Sequence, residues 1–582
     1  MKKASKFRFI SLFGVMFASL ASCSSGSNYE SDNFLPNGTE ENPYQIVKEP
    51  VTIKIFAPHS SGNPEYKDLK MFKYLSKVTN LNFEFTTPDT SAYQARRAAV
   101  WEDKKYKPDL FLFNNPIAEQ VQYAENRFNA LTPFNDPSLK DGSLEIGSLI
   151  DNYMPHYKAL LDNNFNIDPS KENAKQTATI SDGKMYCTIS AKDVARDLTY
   201  KMFINNVWIK NVYSSYSNSY ARKNGIDDAS KILTIDDYVG ILTDFKKYDA
   251  NNNGKTNDEI AVSSKAFEYL RNFILQSYGY VSYATEIEND GSKFTFVPGT
   301  EAFKNYLKTA HSMWESGLMD RNTTENKTDS QMATNGKKLG SFVAAAPYII
   351  TGQSEDELNQ KEDGTNYRYD EEYVTVGPLL SSSYSGSRIQ LGLGCFRPDG
   401  ACIPTMSTYK REVARLIDIM YSDLGSQLIS YGVENEDWTW DDEAKTSWTF
   451  HVPETWTGNQ EDYRATITPN AGSASALYWN NDFVGKMNDD VITRLNRQSE
   501  IYMPYLKTPE PASYKFTSAE YSEISTIKAS LDNQITHYEA SFITGSMDIN
   551  SESEWQDYLN TIKRFKSDRL EEIYNTMLAR YK

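Results

Sequence analysis

The sequence is poor in the residues and motifs on which many enzymes depend. It has five histidines and four cysteines in 582 residues, and it contains no HExxH, GxSxG or GxxxxGK[ST] motif. The sequence therefore lacks the signatures of zinc proteases, α/β-hydrolases and P-loop nucleotide-binding proteins. A glycosidase needs two carboxylates across a cleft, but among 78 acidic residues any pair could be nominated. We therefore expect a protein that is not an enzyme.

Long hydrophobic runs are also missing, apart from one at the N-terminus. The residues from Phe9 to Ala21 form an apolar run that follows Lys2, Lys3, Lys6 and Arg8. The run is too short to span a membrane and is typical of a signal-peptide core, so we assign residues 1–22 to a signal peptide. No other segment approaches about 18 uninterrupted apolar residues, so we expect a soluble mature domain.

The end of the apolar run, Leu20-Ala21-Ser22-Cys23, resembles the lipobox of bacterial lipoproteins. The resemblance implies cleavage before Cys23, which would then carry a diacylglyceryl anchor with palmitate-type acyl chains. The polar residues that follow predict that 23–49 is a lipidated cysteine and a flexible tether. The protein would then be held on the extracellular or periplasmic side of the cell membrane. An ordinary secretory signal with an incidental cysteine is the alternative.

Positive charge is in short supply. Removal of residues 1–22 lowers Lys+Arg from 61 to 57 against 78 Asp+Glu, which leaves a net charge of about −21. A field of that sign does not attract nucleic acid or an anionic bilayer. We expect no nucleic-acid partner, and membrane contact only through the lipid.

Three cysteines remain after Cys23, and they allow at most one disulfide. Cys395 and Cys402 flank a turn at Pro398-Asp399-Gly400, so they could close a hairpin. Two reduced cysteines are the equal alternative.

Strands and helices alternate in the first part of the chain. Val51–Phe56, Leu81–Phe85 and Pro108–Phe113 have strand patterns and are separated by helical stretches, which indicates an open parallel sheet. Ligands bind beyond the carboxyl ends of such strands. We therefore place His59, Asn114 and Asn115 at a binding cleft. A folded chain of roughly 530 residues predicts at least two lobes.

Several segments together resemble the extracellular solute-binding proteins of ABC importers, of the family 1 type. The resemblance is to the long lipoprotein subset that includes alginate-oligosaccharide-binding proteins. The matching segments, in the order found in the family, are VTIKIFAP from Val51, PDLFLFNNP from Pro108, SDGKMYCTIS from Ser181, YKMFINNVWIKNV from Tyr200, TIDDYVGILTDFKKYDANNNGKTNDEI from Thr234, YSDLGSQLISYGVENEDWTW from Tyr421, and the forty residues from Phe542 to Tyr581.

The resemblance implies an α/β, two-lobed periplasmic-binding-protein-like fold with hinge crossovers, type II. We assign 50–165 plus 300–405 to lobe one, and 168–298 plus 408–582 to lobe two. The implied function is capture of an extracellular oligosaccharide and its delivery to the permease subunits of an ABC transporter, by a monomer. A peptide- or signal-binding lipoprotein is the alternative, and a lipid-anchored glycan hydrolase is a weaker one.

The stretch from Asp249 to Glu259 places oxygen-bearing side chains at alternate positions around Gly254, as calcium loops do. The family carries a similar loop as a structural calcium site. The expected ligands are Asp249, Asn251, Asn253, the Lys255 carbonyl, Asp258 and Glu259, with Asn257 in reserve. Ile260 stands where an EF-hand has its bidentate glutamate. A metal-free, asparagine-rich turn is the alternative.

Five of the nine tryptophans fall between 438 and 479. Sugar rings can lie on indoles while amide and carboxylate groups bind their hydroxyls. We therefore propose Trp438, Trp440, Trp479 and Asn480 as ligand contacts, and Tyr348 because the family often has a cleft residue there. The corresponding expectation is that Trp438→Ala and Trp479→Ala weaken sugar binding with little change in thermal stability. Core packing of these residues is the alternative.

Overall fold

The computed structural model describes residues 32–60, 62–113, 130–167, 172–256, 258–325, 327–398, 400–458, 460–469, 477–479 and 481–582. The predicted signal peptide and Cys23 lie outside these ranges, as do Asn114, Asn115, Asn257 and Asn480. In the part of the chain that the structure describes, no helix combines the length and the apolar character needed to cross a membrane.

The strands are β1 Val51–Phe56, β2 Leu81–Thr86, β3 Leu110–Phe111, β4 Lys140–Asp141, β5 Leu144–Glu145, β6 Ser190–Lys192, β7 Lys201–Asn205, β8 Ile260–Ser263, β9 Thr285–Ile287, β10 Phe294–Phe296, β11 Leu339–Ala344, β12 Glu355–Gln360, β13 Asn366–Arg368, β14 Tyr373–Thr375, β15 Gln390–Leu391, β16 Phe396–Arg397, β17 Trp438–Trp440, β18 Trp448–Phe450, β19 Tyr478–Trp479 and β20 Leu506–Lys507.

The α-helices are α1 Lys70–Thr79, α2 Thr90–Trp101, α3 Leu149–Tyr153, α4 Pro155–Asp162, α5 Ala174–Ala178, α6 Asn206–Ser215, α7 Tyr220–Asn224, α8 Ile235–Lys247, α9 Phe267–Gln276, α10 Glu301–Glu315, α11 Asp329–Ala333, α12 Tyr348–Thr351, α13 Lys410–Ile419, α14 Asp423–Tyr431, α15 Gln460–Arg464, α16 Asn481–Val484, α17 Asp490–Ser499, α18 Ser518–Thr544, α19 Glu552–Arg564 and α20 Ser567–Ala579.

Lobe one is built on the parallel sheet β2-β1-β3 and on the smaller sheet β16-β6-β19. Ile53 lies opposite Phe83, and Ile55 lies opposite Leu110. Ile53, Ile55 and Leu110 have no exposed area, because helices on the sheet cover them. The parallel sheet that the sequence predicts in this region is confirmed.

Lobe two is built on the sheet β14-β7-β11-β8, in which β11 runs parallel to β8 and antiparallel to β7. The long C-terminal helix α18 packs beside α10, and Phe542 joins the same buried cluster as Phe303. Helix α8 begins with a capping box in which Thr234 Oγ1 accepts a hydrogen bond from the Asp237 amide. That box satisfies amide groups that the first helical turn leaves unpaired.

The two hydrophobic cores divide the chain at other places than the sequence predicts. The first draws on residues from 34 to 194 and from 396 to 492, and the second on residues from 202 to 379 and from 516 to 578. The assignment of 300–405 to lobe one is therefore wrong up to the β15 region, because these residues belong to lobe two. The assignment of 168–194 and 408–492 to lobe two is also wrong, because these residues belong to lobe one. The strand–helix alternation is alike in both lobes, and only long-range strand pairing decides which sheet a strand joins.

Three crossings connect the lobes, near 195–201, 391–396 and 495–507, and hydrogen bonds join them. The Leu393 amide donates to the Leu198 carbonyl (2.9 Å), and the Gly392 amide donates to the Lys507 carbonyl (2.9 Å). Thr199 Oγ1 donates to the Leu391 carbonyl (2.6 Å). The crossings form one hydrogen-bonded unit, as expected for a hinge.

The second half of the predicted tether is folded. Phe34, Ile46 and Val47 are 5%, 0% and 0% exposed and belong to the first core. Phe34 and Val47 also form an antiparallel bridge. The tether prediction is wrong from residue 32 onward, because burial of a few apolar side chains outweighs a polar composition.

The disulfide joins Cys187 to Cys402, whose Cα atoms are 4.5 Å apart. Cys395 has a free thiol. The predicted hairpin pair Cys395–Cys402 and its alternative of two reduced cysteines are both wrong. The partner of Cys402 lies 215 residues away along the chain, and antiparallel pairing of the two segments inside lobe one brings the sulfurs together.

Candidate functional site

Strand ends define the edge of each lobe that faces the candidate cleft. In lobe two, β8 and β11 end side by side, and β7 starts next to them, since Ala344 pairs with Lys201. In lobe one, β1 and β3 run parallel and end at Phe56 and Phe111. Ligands of open α/β sheets bind beyond such ends.

Tyr348 reaches from lobe two toward lobe one. It opens the short helix α12 just after β11 and is 9% exposed. Burial raises the pKa of its hydroxyl, and the Glu461 carboxylate of lobe one raises it further, against the opposing effects of Arg196 and Arg464. The tyrosine is therefore neutral and close to a charged group of residues in the other lobe, at the position where the sequence places a cleft residue. Its predicted role in ligand binding stays a prediction.

That group is a set of five residues, which we name the arginine cluster: Arg196, Tyr431, Glu461, Arg464 and Trp479. Four of them are buried, and the side chain of Glu461 is 16% exposed. Arg464 donates to Glu461 Oε2 from Nε (3.1 Å) and Nη2 (2.8 Å). Arg196 Nη2 donates to the Tyr431 hydroxyl (3.3 Å). Both guanidinium carbons lie over the Trp479 ring, at 5.3 Å for Arg196 and 5.2 Å for Arg464.

Electrostatics keep both arginines charged despite their burial. Burial alone lowers the pKa of a guanidinium, but Tyr431, Asp197 and Glu461 raise that of Arg196 above its ordinary value. Burial likewise opposes the charge of Arg464, and Glu461 is the main group that raises its pKa. The cluster is a compact arrangement of balanced charges, which is the form in which buried charges are tolerated.

Trp438 is a core residue, and the prediction that it stacks on a ligand is wrong. It has no exposed area, and its Nε1 donates to the Gly432 carbonyl (3.2 Å). It shares a strand face with Trp440, as the spacing predicts, but that face turns toward Phe483 inside lobe one. Alternation identifies a common face without saying which face is buried.

Trp479 cannot offer its ring face to a sugar in this arrangement. It is 1% exposed and in contact with the two guanidiniums. Stacking on Trp479 is therefore a wrong expectation, although the residue lies at the end of β19, beside the cleft. Trp440 is partly exposed and has Lys445 and Lys486 over its ring at 5.2 and 6.0 Å, so its role stays a prediction.

His59 follows β1 at the cleft edge, but its ring is engaged in its own loop. Its Nε2 lies 3.1 Å from the carbonyls of both Asn63 and Pro64, and its ring meets that of Tyr66 edge-on. With 9% of its surface exposed, the side chain closes the polar loop after β1. Its predicted ligand contact stays a prediction.

Two tyrosines at the lobe-two edge are not marked by any pattern in the sequence. Tyr200 is 48% exposed just before β7, and its ring meets that of Tyr269 edge-on at 6.5 Å. The Lys265 ammonium lies 5.7 Å from the Tyr269 ring and is paired with Asp329 at 2.7 Å. Nothing in the sequence shows that β7 is antiparallel to β11, and only that pairing brings the start of β7 to the cleft.

The predicted calcium loop folds as a tight turn around its first aspartate. Asp249 accepts hydrogen bonds from the amides of Asn253 (3.0 Å) and Gly254 (2.8 Å). Asn252 and Gly254 have positive φ values of 61° and 83°, which allow the chain to turn within a few residues.

Two acidic residues at the end of this loop have buried carboxylate oxygens that a cation could bind. Asp258 Oδ1 and Glu259 Oε2 are buried and accept no hydrogen bond from any residue the structure describes. Burial raises the pKa of Glu259, and the Asp258 and Asp249 carboxylates raise it further. Over the described ranges, no group of three or more His, Cys, Asp or Glu residues has the arrangement of a metal site. Asparagine and carbonyl oxygens would have to complete the shell, as the sequence pattern proposes.

Comparison with known proteins shows similarity in both sequence and fold to substrate-binding proteins of ABC transporters. The chain is 24% identical over 576 residues to the fructooligosaccharide ABC transporter substrate-binding protein FusA of Streptococcus pneumoniae serotype 4, covering 95% of this chain and 94% of the relative. A structure of an EF-hand mutant of FusA in complex with fructo-nystose superposes with a TM-score of 0.66 at 19% identity, covering 91% of this chain and 99% of that one. The chain has the two-lobed fold of solute-binding proteins of ABC importers. No family model matches it.

Other proteins with the solute-binding-protein fold differ in what their names say they bind. A human-milk-oligosaccharide-binding protein of Bifidobacterium longum infantis has a TM-score of 0.69 at 16% identity, covering 92% of this chain and 99% of that one. The alginate-binding protein AlgQ2, in a structure without calcium ion, has a TM-score of 0.63 at 15% identity, with coverage of 92% and 100%. The α/β two-lobed fold expected from the sequence is confirmed.

Proposed function

We propose that this protein captures an oligosaccharide outside the cell and delivers it to the permease of an ABC importer. The observation that carries the proposal is a similarity that extends over nearly the whole chain, in sequence and in fold, to an oligosaccharide-binding subunit of such a transporter. The hinge and the polar, aromatic residues between the lobes are consistent with it. A peptide ligand is the outcome that would replace the proposal.

Binding by closure is the mechanism that this architecture supports. The ligand would contact the arginine cluster of lobe one and Tyr348 of lobe two, so it would favour the closed arrangement over the open one. The three hydrogen-bonded crossings would guide the rotation of one lobe against the other. No bond in the ligand needs to be broken, and the relatives are binding proteins, so we propose that the protein is not an enzyme.

Thermal unfolding of residues 24–582 with a panel of oligosaccharides and short peptides tests this function. A ligand at about 100 times its dissociation constant adds about 2.7 kcal/mol to the apparent free energy of unfolding, because only the folded state binds it. We expect a rise in Tm with at least one class of oligosaccharide and no release of reducing ends. A rise with peptides alone would contradict the sugar assignment, and release of reducing ends would indicate a hydrolase.

We also propose that the loop from Asp249 to Glu259 binds a structural calcium ion. The buried carboxylate oxygens of Asp258 and Glu259 that lack partners are the support for it, since leaving them bare costs free energy. Asp249, Asn251, Asn253 and the Lys255 carbonyl would complete an oxygen shell of the kind calcium prefers. When bound, the ion would supply charge compensation and would fix the end of α8 to the start of β8.

Calcium is expected to raise the Tm of the wild-type protein, and chelation by EDTA to lower it by several degrees. Asp249→Asn should remove most of that difference, because it deletes a charged ligand at nearly unchanged volume. Asp290→Asn is a matched control, because Asp290 lies in a different exposed turn of lobe two, where it accepts a hydrogen bond from the Ser292 amide. An equal calcium response in the Asp249→Asn variant and the wild type would contradict the site.

The anchor completes the proposal. We propose that Cys23 carries the lipid and holds the two lobes at the outer face of the membrane, beside the permease. Cys23→Ser is expected to abolish incorporation of labelled palmitate and to release the protein from the membrane fraction. Retention of both label and membrane association in this variant would contradict it.

A further inference from the structure

The arginine cluster has little positive charge to spare for a ligand. Arg464 already donates two hydrogen bonds to Glu461, and its Nη1 donates to the Ser430 carbonyl (3.1 Å). Arg196 Nε lies 3.5 Å from Asp197 Oδ2. The charge of each guanidinium is thus balanced by a neighbouring carboxylate, so the cluster carries no excess positive charge for an anionic sugar.

Three polar atoms in the cluster are buried without a hydrogen-bond partner in the described chain. Two are donors, Arg196 Nε and the Trp479 indole Nε1, and the third is an acceptor, the Glu461 carboxylate Oε1. Trp479 contacts Arg464 through its ring at 5.2 Å, and Glu461 contacts it through Oε2 at 2.8 Å. An unpaired donor and an unpaired acceptor in a buried site each cost free energy, and a ligand that satisfies both recovers it.

We propose that the arginine cluster recognises the hydroxyl groups of an uncharged sugar unit, so that this protein takes neutral oligosaccharides and rejects uronic-acid ones. This inference rests on the proposed function. A hydroxyl group both donates and accepts, so neighbouring hydroxyls can accept from the indole N–H and donate to the carboxylate. An ionised uronate group cannot donate, and it would be repelled by Glu461, because water screens a largely buried carboxylate only weakly.

Tyr348 of lobe two would also contact the hydroxyl groups of the neutral sugar. Its hydroxyl remains protonated at neutral pH, because burial and Glu461 raise its pKa. A neutral phenol can donate to a sugar hydroxyl and accept from another. Opening of the lobes would withdraw Tyr348 from the cluster, and closure would return it onto a bound sugar. The fold alone does not decide this selectivity, because its members include both an alginate binder and a fructooligosaccharide binder by name.

The first test compares two ligand classes on the wild-type protein by isothermal titration calorimetry. The neutral set contains fructo-, malto- and galacto-oligosaccharides of three to five units, and the acidic set contains oligoalginates and oligogalacturonates of the same lengths. We expect the best neutral ligand to bind at least about tenfold more tightly than the best uronate. Tighter or equal binding of a uronate would overturn the inference and leave the proposed function standing, whereas binding of neither set would defeat both.

The second test uses tryptophan-to-phenylalanine substitutions that remove only the indole N–H and part of the ring. Trp479→Phe is expected to weaken binding of the neutral ligand about tenfold. Trp448→Phe is the matched control, because Trp448 is equally buried but its Nε1 already donates to the Phe483 carbonyl (2.6 Å). It should lower Tm with unchanged affinity. Unchanged affinity in a folded Trp479→Phe variant would overturn the proposed contact.

Glu461→Gln adds a readout that a merely structural role would not produce. It removes the repulsive charge while keeping the shape of the side chain. We expect it to narrow the preference for neutral ligands over uronates, with the two affinities approaching each other. If circular dichroism shows that the variant is unfolded, the ligand comparison on the wild type still decides the inference. A folded variant with an unaltered preference would contradict the role of Glu461.

Discussion

Trp438→Ala is expected to lower the free energy of unfolding of lobe one by about 3–5 kcal/mol, the cost of truncating a large buried aromatic side chain. Trp438 has no exposed area, and its ring contacts those of Trp448 and Phe483 with centroids 5.6 and 5.1 Å apart. The substitution also leaves the Gly432 carbonyl without its indole donor. Urea unfolding followed by tryptophan fluorescence measures the effect.

Trp440→Ala is the matched control for Trp438→Ala, because it lies two residues away on the same strand and is partly exposed. It should cost clearly less stability, since less apolar area leaves the core. Equal losses from the two substitutions would mean that β17 does not turn Trp438 inward as described. Weakened sugar binding by Trp438→Ala at unchanged stability, the outcome that the sequence suggests, would contradict the buried position.

Removal of the disulfide is expected to cost about 3–5 kcal/mol of stability in lobe one. Cys187 and Cys402 are 215 residues apart, and a cross-link that closes a loop of that length restricts the unfolded chain strongly. The loop contains all four strands of the lobe-two sheet, so the disulfide joins the two segments of lobe one on either side of the first two crossings. Cys402→Ser should lower the urea midpoint of lobe one, while lobe two should unfold as before.

Cys395→Ser is the control for the disulfide experiment. It removes the free thiol and therefore prevents disulfide exchange, and it should leave the urea midpoint almost unchanged. Wild-type protein treated with a reductant under mild denaturant should reproduce the Cys402→Ser result. A reduced wild-type protein as stable as the oxidised one would show that the bond contributes little, through strain in the folded state or residual structure in the unfolded chain.

Local patterns were sufficient for many individual elements. The alternation in Val51–Phe56 predicted β1, and that in Leu81–Phe85 predicted β2. The same patterns failed for partners that are distant in the chain. They predicted that Cys395 could pair with Cys402 across a nearby turn, whereas strand pairing brings Cys187 next to Cys402.

In the candidate site, too, single residues were predicted from the sequence but their distant partners were not. The sequence predicted Tyr348 and Trp479 as ligand contacts, and it assigned ring stacking to Trp479, which its burial contradicts. The two arginines that contact its ring come from positions 196 and 464, and nothing in either local sequence marks them as neighbours. A buried charge is stable only where partners converge on it, and that convergence is a property of the assembled lobe.

The sequence by itself determined the class of protein. The ordered series of segments that resemble solute-binding proteins indicated a two-lobed binding protein. Composition and local periodicity, which neighbouring residues carry, indicated the signal-like N-terminus, the acidic charge and the individual strands. Only the tertiary structure decided which segments form each lobe, which cysteines pair, which face of β17 is buried and which polar atoms are buried without a partner. Each of these depends on contacts between residues far apart in the chain, and their free energy arises only when the lobes are packed.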